Sequence, residues 1–178
     1  MIINGGVQLE NKKLLSNFRV LDLVQIALMA AITYIATAVI NVPSHMGVVH
    51  LGDTIVFVSA ILLGRKKGAL SSAIGMSLFD LLSPYTIWAP FTFVIKGVMA
   101  FIAASVAYRG DFEGNNIWNN LLGFALGSVW MVGAYYAGGV IISYFCFGMP
   151  LNQSLIKSSL DIPGNIVQVT AGTILALP

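Results

Sequence analysis

Charge is what this sequence lacks most. Only 9% of its 178 residues are Asp, Glu, Lys or Arg, where soluble domains run near a quarter. An ordinary soluble domain of this size is therefore excluded. Cysteine is nearly missing: Cys146 stands alone, so no internal disulfide can form, and no zinc-type spacing is present. The phosphate-cradling pattern G-x-x-x-x-G-K-[ST] does not occur, so these residues carry no P-loop ATP site. Basic clusters are short and lie between apolar runs, which is a membrane-topology pattern and not a nucleic-acid surface.

What the chain does have is hydrocarbon. It is 57% hydrophobic, with a mean hydropathy of +0.86. That length and content make room for about six membrane spans joined by short loops. The expected fold is all-α, an integral membrane six-helix bundle. Apolar runs predict helices over Val20–Ile40, Leu51–Gly64, Gly68–Ser83, Pro90–Tyr108, Asn119–Phe147 and Leu160–Leu177. The second and third are short for a ~30 Å hydrocarbon core, and the fifth is long enough to tilt. Residues 1–19 are a polar cytoplasmic segment without the features of a cleavable signal. Residues 20–178 are expected to form one six-helix transmembrane domain. The last helix is expected to meet the cytoplasmic face where the sequence stops at Pro178.

Basic residues orient the bundle. With the N-terminus inside, Lys12, Lys13, Arg19, Arg65, Lys66, Lys67 and Arg109 all fall in cytoplasmic segments, and only Lys157 falls in an outer loop. The positive-inside rule then puts both termini in the cytoplasm.

Three ionisable residues remain inside or at the edge of the spans: Asp53, Asp80 and Lys96. A lone charge in hydrocarbon costs from ~3 to more than 10 kcal/mol, so it needs a partner or a wet cavity. In the predicted topology all three lie in the outer half. Lys96 is roughly 9 Å below the outer surface at 1.5 Å per residue. Asp161, Asn165 and Gln168 follow at i, i+4 and i+7 on one face of the last helix, again in its outer half. Two readings of the trio stand side by side. A carboxylate can simply neutralise Lys96 and lock helices together, or the three can line a ligand site; a pair in a wet cavity can do both.

Two outer segments adjoin this cluster. One, Asn41–His50, holds Pro43, Ser44, His45, Gly47 and His50; the other, Ser83–Pro90, holds Pro84, Tyr85 and Trp88. Tyr85 and Trp88 can anchor the membrane interface or stack on a flat ligand. His45 and His50 lack a nearby carboxylate or cysteine at ligand spacing, so no metal site and no cofactor is expected.

The stretches His50-Leu-Gly-Asp-Thr-Ile-Val-Phe, Leu62-Leu-Gly-Arg-Lys-Lys-Gly-Ala, Ile74-Gly-Met-Ser-Leu-Phe-Asp-Leu-Leu and Ala89-Pro-Phe-Thr-Phe-Val-Ile-Lys-Gly, taken in order, resemble the substrate-binding S component of energy-coupling factor (ECF) vitamin transporters. The resemblance is strongest to the branch for hydroxymethylpyrimidine or pyridoxine-like substrates, and densest over residues 50–99. It implies a six-helix bundle in the bacterial plasma membrane that captures a vitamin under the loop between helices 1 and 2. It further implies a transmembrane coupling subunit and two ATP-binding subunits as partners. The family's small-residue docking pattern on helix 1 falls on Ala27 and Ala31, with Ala30 beside them. Small side chains there let helices approach closely. The family's usual basic cytoplasmic tail after the last helix is not matched before Pro178.

The expected ligand site therefore comprises His50, Asp53, Asp80, Tyr85, Trp88, Lys96, Asn165 and Gln168. Its acceptors, ammonium, amides and aromatic faces suit a small flat ring rich in heteroatoms, and no covalent chemistry. Two rivals are distinguishable. An intramembrane aspartyl protease would use Asp53 and Asp80 as a proton-sharing dyad, but the chain has no G-x-G-D motif. A self-sufficient solute carrier would need a continuous polar path or inverted repeats, and neither is visible. A pantothenate-type anion would be drawn to Lys96, but the two aspartates weigh against it.

Overall fold

A computed structural model describes residues 19–43 and 48–177. Lys12, Lys13, Ser44, His45, Gly47 and Pro178 lie outside the described residues. The first helix, α1 (Val20–Val39), leads into a two-stranded antiparallel hairpin, β1 (Asn41–Pro43) and β2 (Val48–His50). Asn41 pairs with His50, Val42 with Val49 and Pro43 with Val48. The all-α expectation is thus amended by one short ribbon. Pro43 ends the first strand, where a missing N–H is tolerated.

Next comes α2 (Gly52–Leu81), a helical element broken at Gly64, whose φ of 72° and ψ of −170° are non-helical. Only glycine adopts that conformation readily. The two arms fold back on each other: a Cβ added at Gly68 would lie 2.7 Å from the Ser59 carbonyl oxygen. Residues nine apart in a straight helix would be about 13 Å apart, so the chain reverses at Gly64. These arms correspond to the second and third predicted helices.

A 3₁₀ turn (Thr86–Trp88) then opens α3 (Ala89–Ala107), which has Pro90 in its first turn, where proline costs nothing. α4 (Ile117–Ile141) is capped by Asn116, whose side chain accepts from the Trp118 and Asn119 amides. It runs on through a π turn, Ile142–Cys146. A helix absent from the sequence reading follows, α5 (Leu151–Ser159), and α6 (Ile162–Ala176) closes the described chain.

Three segments are long and apolar enough to cross a membrane: Val20–Val39, Thr86–Ala107 and Ile117–Cys146. The α2 arms and α6 are shorter. The protein is a membrane helical bundle, and its surface shows why. Val20 (78% exposed), Val129 (74%) and Trp118 (76%) point outward. A run of such residues along α1 would be a liability in water but meets lipid without cost. The interior is close-packed, with Val56, Phe57, Met76, Met99, Phe124 and Met131 at its centre and the Phe57 and Phe124 rings stacked at 4.3 Å.

Four basic side chains, Arg19, Arg65, Lys67 and Arg109, gather at one end of the bundle; Lys96 and Lys157 lie away from it. Lys67 Nζ meets Asp22 Oδ1 at 3.1 Å and Gln25 Oε1 at 2.8 Å. Arg65 donates to the Tyr108 carbonyl, and Arg109 donates to Asn119 Oδ1. The hairpin and the buried acids lie at the opposite end.

Ala30 departs from the outward docking face expected on α1. Ala27 and Ala31 face outward, but Ala30 is buried. A Cβ at Gly75 would lie 2.5 Å from the Ala30 carbonyl oxygen, so Ala30 packs α1 against the second arm of α2. It belongs to the core and not to an outer face.

Candidate functional site

The site is built where the hairpin meets α2, α3 and α6. Lys96 and Asp53 pair completely within the protein: Nζ to Oδ1 is 2.5 Å, and both side chains are 0% exposed. Gln168 Nε2 donates to the other carboxylate oxygen, Asp53 Oδ2, at 2.8 Å. The same amide accepts from the His50 backbone N–H through Oε1 at 3.1 Å. Gln168 therefore ties the hairpin to the ion pair, with both ends of its amide in use. Lys96 Nζ also sits 5.1 Å from the Tyr135 ring centroid, which adds a cation–π contact.

His50 closes this floor. Its Nδ1 accepts from the Gly52 N–H at 3.2 Å, so in the neutral ring the proton is on Nε2. Burial pushes the imidazole from 6.5 down to about 4; the Asp53 carboxylate opposes that shift and the Lys96 ammonium adds to it. The unfolded chain binds a proton on this ring below 6.5, and the folded one only near 4. Stability is therefore full above about 6.5 and falls as pH drops toward 4, by at most roughly 3 kcal/mol. Thermal melts of wild type and His50→Asn between pH 7 and pH 4 check this: the variant is expected to lose less stability than wild type over that interval.

Above the floor lies a cavity lined by His50, Asp80, Tyr85, Trp88, Asn165 and Gln168, all expected from sequence, together with Asp161. The elements explain the convergence. Asp80 ends the second arm of α2, Tyr85 and Trp88 flank the 3₁₀ turn, and Asn165 and Gln168 share one face of α6. Phe79 bridges His50 and Tyr85, with ring centroids 6.1 and 6.5 Å away. Trp88 stands 5.5 Å from Tyr135.

The structure departs from the sequence reading on the charged trio. Asp53 and Lys96 do not line the cavity; they lie beneath it, neutralising each other. Asp80 alone of the three faces the space. Its Oδ2 is buried and, among the described residues, has no hydrogen-bond partner.

Several lining residues were not anticipated: Val48, Thr92, Met131, Tyr135, Gly139 and Ser158. Thr92 and Tyr135 share a hydroxyl–hydroxyl hydrogen bond of 3.1 Å. A signal for some of them was present. Thr92 is one turn before Lys96, and Met131, Tyr135 and Gly139 repeat at i, i+4 and i+8 on one face of α4. Ser158 had none, because its helix was not recognised. No group of three metal-ligating side chains is found among the described residues.

The cavity has about 40 Å³ of free space. That holds a water or so, at ~30 Å³ each, whereas a site for a single ring needs on the order of 150 Å³. Ligand entry thus requires the lining side chains to move apart.

A helical membrane protein with an aromatic-walled polar cavity at one end has the architecture that a solute-binding membrane protein needs. The sequence comparisons sharpen this. The profile of the ECF-type riboflavin transporter S component matches residues 17–178, and the chain belongs to that family. It is similar to an uncharacterised protein of Pyrococcus woesei (32% identical over 136 residues, 76% of this chain and 82% of the relative). It is also similar to the thiamine precursor transporter HmpT of Lactococcus lactis (25% identical over 167 residues, 92% and 88%). The chain is therefore the S component of an ECF-type vitamin transporter, and not an enzyme.

Proposed function

We propose that this chain captures a one-ring vitamin or vitamin precursor, of hydroxymethylpyrimidine or pyridoxine type, from the outer face of the cell membrane. The observation that carries the reading is the cavity: flat aromatic side chains and polar groups converge beside the hairpin between α1 and α2. The likeness to a thiamine precursor transporter supports the pyrimidine branch.

In this reading the spans are α1, the two arms of α2, α3, α4 with its π turn, and α6. Residues 20–178 act as one substrate-binding domain. The clustering of Arg19, Arg65, Lys67 and Arg109 at one end supports a cytoplasmic position for that end and for both termini. Delivery inward requires a transmembrane coupling subunit and two ATP-binding subunits, since this chain has no P-loop of its own.

The proposed docking face is the outward side of α1 around Ala27 and Ala31. Leucine at either position is expected to leave folding and ligand binding intact and to weaken co-purification with the coupling subunit. Ala30→Leu should instead lower thermal stability, because it pushes against Gly75. Equal effects at all three positions would remove the docking assignment.

Reconstitution separates this function from a self-sufficient carrier. The chain alone in liposomes should bind the vitamin without accumulating it; uptake should appear only with the coupling and ATPase subunits and ATP. Accumulation by the chain alone would support the carrier.

A further inference from the structure

The division of charge at the site carries an inference about ligand chemistry. Lys96 is fully committed to Asp53 and fully buried. Among the described residues that line the cavity there is no lysine or arginine. His50 is neutral near pH 7. Asp80 is only 5% exposed, it faces the cavity, and its Oδ2 has no partner among the described residues. A buried carboxylate oxygen left without a donor is costly. A ligand that supplies the donor removes that cost, and a ligand that brings another acceptor or an anion increases it.

We infer that Asp80 anchors the substrate through an N–H donor on the ring, an exocyclic amine or a protonated ring nitrogen, and that the cavity discriminates against anions. Asp53 and Lys96 do not touch the ligand; they are positioning residues that hold Gln168, and through it the hairpin. The inference rests on the vitamin-binding reading above and adds the substrate's charge class. The aromatic walls at Tyr85, Trp88 and Tyr135 fit the same ligand, because they supply π faces. Thr92 hydrogen-bonds both the Asp80 carboxylate and the Tyr135 hydroxyl, so it steadies Asp80 and leaves Oδ2 as the oxygen open to the ligand.

The test is calorimetric titration of the purified full chain at pH 7.5 with three probes. These are 4-amino-5-hydroxymethyl-2-methylpyrimidine, its des-amino analogue and pantothenate. Wild type is expected to bind the amino compound at least ~30-fold more tightly than the des-amino analogue, because a site with an unpaired acceptor rejects a ligand lacking the donor. Pantothenate should not bind. In Asp80→Asn the amino preference should shrink to within about threefold, since a neutral amide rewards the donor less. Equal wild-type affinity for the amino and des-amino compounds, preference for pantothenate, or an unchanged ratio in Asp80→Asn would overturn the assignment and leave the vitamin-binding reading standing. No binding of these probes or of any other vitamin would overturn both. If Asp80→Asn does not fold, the wild-type ratio decides alone.

Discussion

Lys96→Met is expected to destabilise the protein by about 3–5 kcal/mol, because it strands the Asp53 carboxylate in a dry interior. The double variant Asp53→Asn/Lys96→Gln should recover most of that loss. In it Gln168 can still donate to the side-chain carbonyl at position 53. The new amide nitrogen there can donate in turn to the amide oxygen at position 96, so no charge is stranded and the Gln168 tether is kept, with the position-96 NH₂ left against the Tyr135 ring. Thermal melts in one detergent decide the matter. A single variant as stable as wild type would mean that Lys96 is not committed to Asp53. Ligand binding adds a second readout. Because the pair lies beneath the cavity and outside its lining, the double variant should bind ligand within a few-fold of wild type. A folded double variant that binds nothing while amide exchange at His50 stays as slow as in wild type would mean that Lys96 or Asp53 contacts the ligand directly.

Gln168→Leu is the second large effect. The side chain is 2% exposed, and leucine is close to it in size. The change leaves two buried groups unpaired, Asp53 Oδ2 and the His50 N–H. At about 1–3 kcal/mol for each orphan, the loss should reach roughly 2–5 kcal/mol. Its location is more informative than its size. The tether between β2 and α6 is gone, so amide exchange at His50 should accelerate while the Phe57–Phe124 core stays protected. Gln168→Glu keeps the acceptor for His50 but sets a second carboxylate against Asp53. It should therefore be less stable than Gln168→Leu at neutral pH and approach it as pH falls. Uniform loss of protection in Gln168→Leu would show that the amide supports the whole bundle and not the hairpin alone.

Much of this site was legible because charge is so scarce. In a chain with few ionisable groups, Asp53, Asp80 and Lys96 stand out, and hydrocarbon leaves them few places to go. That Asn165 and Gln168 share one helix face followed from helical spacing alone. Pairing was not legible. Asp53 and Asp80 were equivalent candidates for Lys96, and only the packing of the first α2 arm against α3 selects Asp53. Direction on α1 was hidden as well. Ala27, Ala30 and Ala31 look alike in sequence, and the close approach of Gly75 turns Ala30 inward.

Two elements escaped for local reasons. The segment Leu-Asn-Gln-Ser-Leu-Ile-Lys-Ser-Ser of α5 is too polar for a span and too short to announce a helix. Its Ser158 nevertheless lines the cavity beside Gly139. The β1–β2 ribbon pairs only three residues on each side. With Pro43 in it, the segment read as a loop.

The most direct test of the account is an experimental structure of the chain with its bound vitamin. The account predicts one ligand at the hairpin end, its ring against Trp88 and Tyr85 and an N–H on Asp80, with the Lys96–Asp53 pair intact beneath it and the cavity enlarged to ring size. A ligand found elsewhere in the bundle, with this cavity still closed around a water's worth of space, would contradict it.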